Sequence, residues 1–255
     1  MLTQQHIDIV LHALDKAMDV ALSYFDNPGI LTNELKDIKT LVDLKMNECI
    51  LSELSNTGFP ILSEESDWKH KAVNLSGWIV DPLDGTLNFT RKFPCVGISI
   101  AFMVDGIPTH GFVKDIFNNI SYTTNLNGRA TKNGIAMDVS SESQLSNAIL
   151  STGFPSGANY GTSELMHFVS NVQEFKKIRA LGSASLMLCL VAEGVFDVYY
   201  EKGIYLWDVA AGIALVNASG GKYKLTKMGE PYKYEVLASN SEIFENALQK
   251  LIASR

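Results

Sequence analysis

The chain has 255 residues, 46% of them hydrophobic and 19% charged, with a net charge of −7. That is enough apolar material for one large domain or two modest ones sharing an interface, and it excludes a disordered or low-complexity chain. The acidic balance disfavours nonspecific nucleic-acid binding but leaves room for a phosphorylated small molecule held through divalent metals.

The N-terminal "MLTQQHIDIV" is polar and has no signal-peptide core, which predicts a cytoplasmic protein. The longest apolar run, Val96–Val104, has nine residues. A membrane helix needs roughly 20, so no membrane partner is expected. Cys49, Cys95 and Cys189 are dispersed among apolar neighbours and read as reduced core thiols. The histidines do not cluster, which argues against zinc.

Taken in chain order, residues 4–25 place Ile7, Val10, Leu14, Met18, Leu22 and Phe25 at helical spacing, and Asn27-Pro28-Gly29 closes that helix. The 32–43 stretch reads as a loop. A second helix is predicted from about Val42 into the fifties, with Leu44, Cys49 and Leu54 apolar and Asn56-Thr57-Gly58 as its stop. Short strands follow at Phe59–Ser63 and Gly77–Val80, and Pro82 is expected to end the second. From Val96 to about Ala136 the pattern is an antiparallel meander with turns at Asp105-Gly106 and Asn127-Gly128.

The second half alternates. Strands are predicted at 147–153, where "STG" leads into Phe154-Pro155, and at 176–182, 195–201 and 234–240. Helices are predicted at 163–175, 183–194, 207–221 and the C-terminus. Such alternation indicates layered α/β packing with a mixed sheet, beside an antiparallel sheet in the first half. The polar stretch 138–146 suggests a boundary, giving units of 1–140 and 141–255.

Acidic residues recur where apolar elements end. Glu64-Glu65 follow "PILS", Asp81 and Asp84 follow "WIV", Asp208 opens "WDVAAGIALV", and Asp43 starts the second helix. Each has a local explanation: Asp208 as a helix cap, Glu64-Glu65 as a solvated loop pair, Asp81-Pro82 as a strand end, Asp84-Gly85 as a turn. Their joint occurrence points instead to one edge of a fold. Converging carboxylates repel one another, and hard divalent cations relieve that cost. Gly85 and Thr86 supply close backbone approach and exposed N–H donors suited to phosphate. No nucleotide P-loop, dinucleotide Gly-x-Gly-x-x-Gly or serine-hydrolase elbow is present. The Asp-x-x-Asp-Gly-Thr spacing also differs from the Asp-x-Asp-x-Thr of aspartyl-phosphate phosphatases.

The stretches "EES" (64–66), "WIVDPLDGT" (78–86), "WDVAAG" (207–212) and "LGSASLMLCLVAEGVFDVYYEKGIYLWD" (181–208) together resemble the inositol monophosphatase family, in particular its bacterial-type members. "STGFP" and "NASGG" fit the same pattern. The resemblance spans most of the chain. It implies the family's layered αβαβα sandwich, the sugar-phosphatase fold, in a homodimer. It implies Mg2+ as cofactor, two or three ions per site with Mn2+ or Ca2+ able to substitute in binding, and lithium sensitivity. Glu64, Asp81, the Leu83 carbonyl, Asp84 and Asp208 would be metal ligands. Gly85 and Thr86 would donate amides to phosphate, and Asp43, Thr86 and Glu64 would act on the attacking water. Glu201 would bind a substrate hydroxyl, with Gly182, Ser183 and Ala184 lining the same side and Asp208 close by. The chain departs from the family at Lys39, which replaces an aliphatic residue. It departs again at Thr32, which stands where some members carry a lysine, with Lys36 nearby. The implied activity is hydrolysis of a small phosphorylated polyol, foremost myo-inositol monophosphate. Fructose 1,6-bisphosphate, histidinol phosphate and NADP or adenosine bisphosphate are the alternatives, and some bacterial relatives are implicated in binding transcription machinery.

Overall fold

The computed structural model describes residues 2–34, 37–66, 76–154 and 161–253. In chain order the elements begin with helix α1 (Gln4–Ser23), strands β1 (Ile30–Glu34) and β2 (Asp37–Thr40), helix α2 (Leu41–Leu54), strands β3 (Ile61–Ser63) and β4 (Gly77–Asp84), and the short helix α3 (Thr86–Thr90). Strands β5 (Gly97–Val104), β6 (Ile107–Asp115), β7 (Ile120–Thr124), β8 (Ala130–Lys132), β9 (Ile135–Ala136) and β10 (Ile149–Thr152) follow. The remainder is helix α4 (Thr162–Val172), strand β11 (Lys177–Arg179), helix α5 (Ala184–Ala192), strand β12 (Val198–Tyr205), helix α6 (Leu206–Ala218), strands β13 (Lys222–Lys227) and β14 (Lys233–Ser239), and helix α7 (Phe244–Leu248).

Thr3 and His6 start α1 with a reciprocal cap, the Thr3 N–H donating to His6 Nδ1 at 3.1 Å. The buried stripe runs Ile7, Val10, Leu14, then Ala13, Ala17 and Ala21. Met18 is only partly buried and Leu22 is 44% exposed, while Ala17 and Ala21 make the buried contact of the second half. On α2 the core positions are Val42, Met46, Ile50 and Leu54, while Leu44 and Cys49 lie at the border. Cys95 and Cys189 are buried, and all three cysteines are free thiols.

The first sheet runs β3-β4-β5-β6-β7-β8-β9 and the second β11-β10-β12-β14-β13. Helices α1 and α2 cover one face of the first, where Leu14, Met46 and Ile50 meet Trp78, Ile98 and Phe112. Helices α5 and α6 fill the space between the sheets, packing Leu188 and Ile213 against Ile79 and Val113 on one side and Tyr199 and Val236 on the other. Helices α4 and α7 close the far face with Val172, Phe244 and Ala247 over Leu150, Val198 and Leu237. The order is αβαβα. With helices on both faces, β5 is buried from Gly97 to Met103, which explains its unbroken apolar run.

Several details differ from the sequence-based expectations. The first sheet is not wholly antiparallel: β3 joins β4 in parallel. The stretch read as a loop contains the antiparallel hairpin β1–β2, and strand β13 arises from "KYKLTK", an edge strand whose half-buried Tyr223 and Leu225 alternate with exposed polar residues. Strand β12 starts only at Val198 because Asp197 is diverted, accepting from the Ile149 N–H at 2.7 Å. Residues 155–160, including Pro155, lie outside the described residues, as does Lys36. Among the described residues no helix is long and apolar enough to cross a membrane.

The two inter-sheet helices approach so closely that only glycine fits at position 212. A Cβ there would lie 2.3 Å from Leu188 Cβ. Gly212→Ala therefore overpacks the α5–α6 contact, with an expected loss of about 1–3 kcal/mol. Urea denaturation should show a lower midpoint than wild type, and an unchanged midpoint would contradict the packing.

Candidate active site

Strand β4 presents two carboxylates on one side because it is bulged. Asp81 pairs with Ser99 and Asp84 with Gly97, so three steps on β4 match two on β5. In a regular strand, residues three apart face opposite sides; one extra residue restores Asp84 to the side of Asp81. Pro82 is that residue. It does not end the strand, as the sequence suggested, but occupies the bulge, where its missing N–H leaves no ladder bond unmade. Trp78, Val80 and Leu83 point into the α1–α2 core, while Ile79 points to the α5–α6 side.

On that inner side Asp81 meets two further carboxylates. The parallel β3–β4 pair continues through the Glu64 N–H to the Val80 carbonyl at 3.0 Å, which sets Glu64 beside Asp81. Asp208 comes from the first turn of α6, which Ser99 Oγ ties to β5 by donating to the Trp207 carbonyl at 3.0 Å. Asp208 lies three residues inside the helix start, accepting from the Tyr205 N–H at 3.2 Å, so a capping role and a site role coexist. Ligand oxygens of Glu64, Asp81 and Asp208 all lie within 4.8 Å of one another. At an effective dielectric of about 20, two unit charges at such spacing repel by about 3 kcal/mol or more. Burial first, and then the charges of Glu64, Asp84 and Asp208, push the Asp81 carboxyl well above the usual carboxylate range. Burial, Glu64 and Asp84 do the same to Asp208. An all-oxygen, mutually repelling donor set of this kind fits a hard divalent cation.

Asp84 stands apart from that trio. Its Oδ2 accepts from Ser183 Oγ and the Ser185 N–H, both at 2.7 Å, and its Oδ1 from the Ala184 N–H at 3.3 Å. The start of α5 thus grips the carboxylate, and these bonds oppose the upward push of burial on its pKa. Gly85 turns the chain into α3 at φ +98°, and a Cβ there would meet the Cys95 carbonyl at 2.9 Å and the Gly182 carbonyl at 3.2 Å. Gly182, Ser183 and Ala184 are thereby brought against Gly85, with Asn88 Nδ2 donating to the Leu181 carbonyl at 2.7 Å.

Thr86 Oγ1 lies 3.0 Å from Asp43 Oδ1 and 3.1 Å from the Leu83 carbonyl oxygen. Thr40 fixes the other oxygen of Asp43, its N–H donating at 2.8 Å and its hydroxyl adding a second bond. Burial raises the Asp43 pKa, opposed by the Thr40 and Thr86 bonds. Glu201, on β12, accepts from the Tyr199 hydroxyl at 2.7 Å. Both its oxygens lie 2.7 Å from where a Cβ on Gly153 would sit, so only glycine leaves them room. Burial, opposed by the Tyr199 bond, moves the Glu201 carboxyl up to about 7.

Sequence reasoning missed Thr40, Ser185 and Tyr199. Signals existed for two of them: Thr40-x-x-Asp43 is a capping-box spacing, and Tyr199 shares a strand face with Glu201 two residues on. Ser185 becomes visible only once α5 is seen to point at Asp84. Thr32, which the resemblance sets where some members carry a lysine, lies in β1 opposite Lys39.

This layout has close parallels. The inositol monophosphatase family profile matches residues 3–255. The protein named Nus factor SuhB of Pasteurella multocida is 32% identical over 222 residues, covering 84% of this chain and 83% of its own. Inositol monophosphatase 1 of Homo sapiens is 30% identical over 265 residues, covering 98% and 91%. Among solved structures, extragenic suppressor protein suhB from Bartonella henselae superposes with a TM-score of 0.86 at 28% identity, covering 98% of this chain and 100% of that one. Sequence match along nearly the full length and the shared fold lead to one conclusion: the chain belongs to the inositol monophosphatase family of metal-dependent phosphoric monoester hydrolases.

Proposed function

We propose that the chain is a Mg2+-dependent phosphomonoesterase acting on a small phosphorylated polyol, foremost myo-inositol monophosphate. The observation that carries this reading is the convergence of Glu64, Asp81 and Asp208, with the buried Glu201 carboxylate near enough for its charge to act on Asp208. Glu64, Asp81, Asp208, Asp84 and the Leu83 carbonyl would hold the cations, two or three in number. Bound magnesium supplies charge neutralisation and Lewis acidity toward phosphate oxygens. Without it, these carboxylates would repel a phosphate dianion.

The chain's own groups carry the rest. Backbone amides of Gly85 and Thr86 orient the phosphate. Thr86 Oγ1 accepts a hydrogen bond from the attacking water while its own proton is directed to Asp43 Oδ1, and Glu64 is a second acceptor for that water. Glu201 accepts from substrate hydroxyls, which favours a polyol over fructose 1,6-bisphosphate, histidinol phosphate or nucleotide substrates. A homodimer is the proposed assembly, supported by the exposed apolar side chains Phe154, Leu165, Met166 and Val169 at α4, and lithium sensitivity accompanies it as a family trait. The relative named Nus factor favours a second reading, in which the fold also binds transcription machinery.

A phosphate-release screen over phosphorylated polyols, sugars, nucleotides and histidinol should show preference for inositol monophosphate with Mg2+ and no turnover in excess chelator. Preference for another class, or turnover under chelation, refutes the reading. Asp84→Asn should lower kcat by about 100-fold or more, and a pull-down with this inactive chain tests the second reading: retained capture of transcription proteins separates binding from catalysis. With its carboxyl pushed up by burial to about 7, Glu201 loses its charge as pH falls through 7. The KM for a polyol phosphate should therefore rise as pH falls through 7, by about tenfold over 1–2 units, with no matching rise for an aryl phosphate lacking hydroxyls. Parallel rises for both substrates would count against Glu201 as the hydroxyl acceptor.

A further inference from the structure

Glu65 is a carboxylate of this corner that the reaction leaves unused. It adjoins Glu64 in the turn that follows β3, and its side chain is only 6% exposed. Its partner is Lys39, reaching over from β2, with a side chain 41% exposed. The pair ties the β1–β2 hairpin to the turn that carries a proposed metal ligand. Burial works against the Lys39 ammonium, but the bond to Glu65 and the charges of Glu65, Glu64 and Asp43 outweigh it and raise its pKa. Lys39 is therefore fully charged at neutral pH, within the field of Glu64 and Asp43. A lysine in this position acts in two ways on any divalent cation nearby. It occupies a carboxylate that would otherwise be a donor, and it adds a like charge next to Glu64.

We propose that Lys39 is a resident cation of the site, pinning Glu65 and weakening divalent-cation binding on the Glu64 side. This rests on the metal-dependent reading above. An ion pair that merely braced the hairpin would behave differently, since breaking it from either end would loosen the turn and weaken cation binding. A resident cation predicts effects of opposite sign.

The test is Mn2+ titration of the full chain by isothermal calorimetry, without substrate. Lys39→Met should bind Mn2+ about tenfold more tightly, and Glu65→Gln about tenfold more weakly. The double variant should return near wild type, and Lys39→Arg should match it. Lys39→Gln serves as a second neutral replacement, with circular dichroism checking that each variant is folded. Changes of the same sign in Lys39→Met and Glu65→Gln, or no change in either, overturn the role of Lys39. Absence of Mn2+ binding by the wild-type chain, or binding unaffected by Asp81→Asn, overturns the metal reading itself and this inference with it.

Discussion

Glu64, Asp81 and Asp208 are forced together from a turn, a strand and a helix, and their mutual repulsion is the constraint around which the surrounding structure is organised. Solvent reaches Glu64, but Asp81 is buried, so there the cost is met by position and by hydrogen bonding. Asp208 takes the Tyr205 amide, Asp81 takes the Leu83 amide at 2.9 Å, and Asp84 sits on the first turn of α5. The helix starts that face the site are held by the same contacts that hold the core. Ser99 joins β5 to the opening of α6, and Gly212 lets α6 settle against α5. The chemistry and the inter-sheet packing share their supports.

Much of this was legible in the sequence, and the boundary of legibility has physical causes. Asp81, Asp84 and Asp208 could be picked out because carboxylates beside long apolar runs are costly and conspicuous. Layered α/β packing could be read from the alternation of strands and helices, whereas the αβαβα order was implied only by the family resemblance. The hairpin β1–β2 was invisible, since its residues are short polar and apolar types without clear alternation. The α1 face was misjudged in its second half, where Ala17 and Ala21 are buried, Met18 packs only at the margin and Leu22 is exposed. Partners that come from afar are absent from any local pattern: Ser185 on Asp84, separated by 101 residues, and Lys39 on Glu65.

Glu201 shows the same division. Its position on a strand two residues after Tyr199 was in plain view, but the closeness of Gly153 to its carboxylate depends on parallel pairing of β10 with β12. Tyr199 packs into the core beside α6, and Glu201, two residues on, faces the same way, within reach of the charge of Asp208.

The bulge at Pro82 carries a consequence for how this segment can vary. Facing direction along β4 depends on counting residues and not on their identity. Many side chains could replace Pro82 without moving Asp84, and removing a single residue between Asp81 and Asp84 would straighten the strand yet leave both carboxylates on one side, whereas losing the bulge at the present length would swing the second carboxylate toward the apolar pocket now filled by Leu83. The segment is thus tolerant in spelling but bound to its pairing, because at this spacing only the bulge keeps the two carboxylates together.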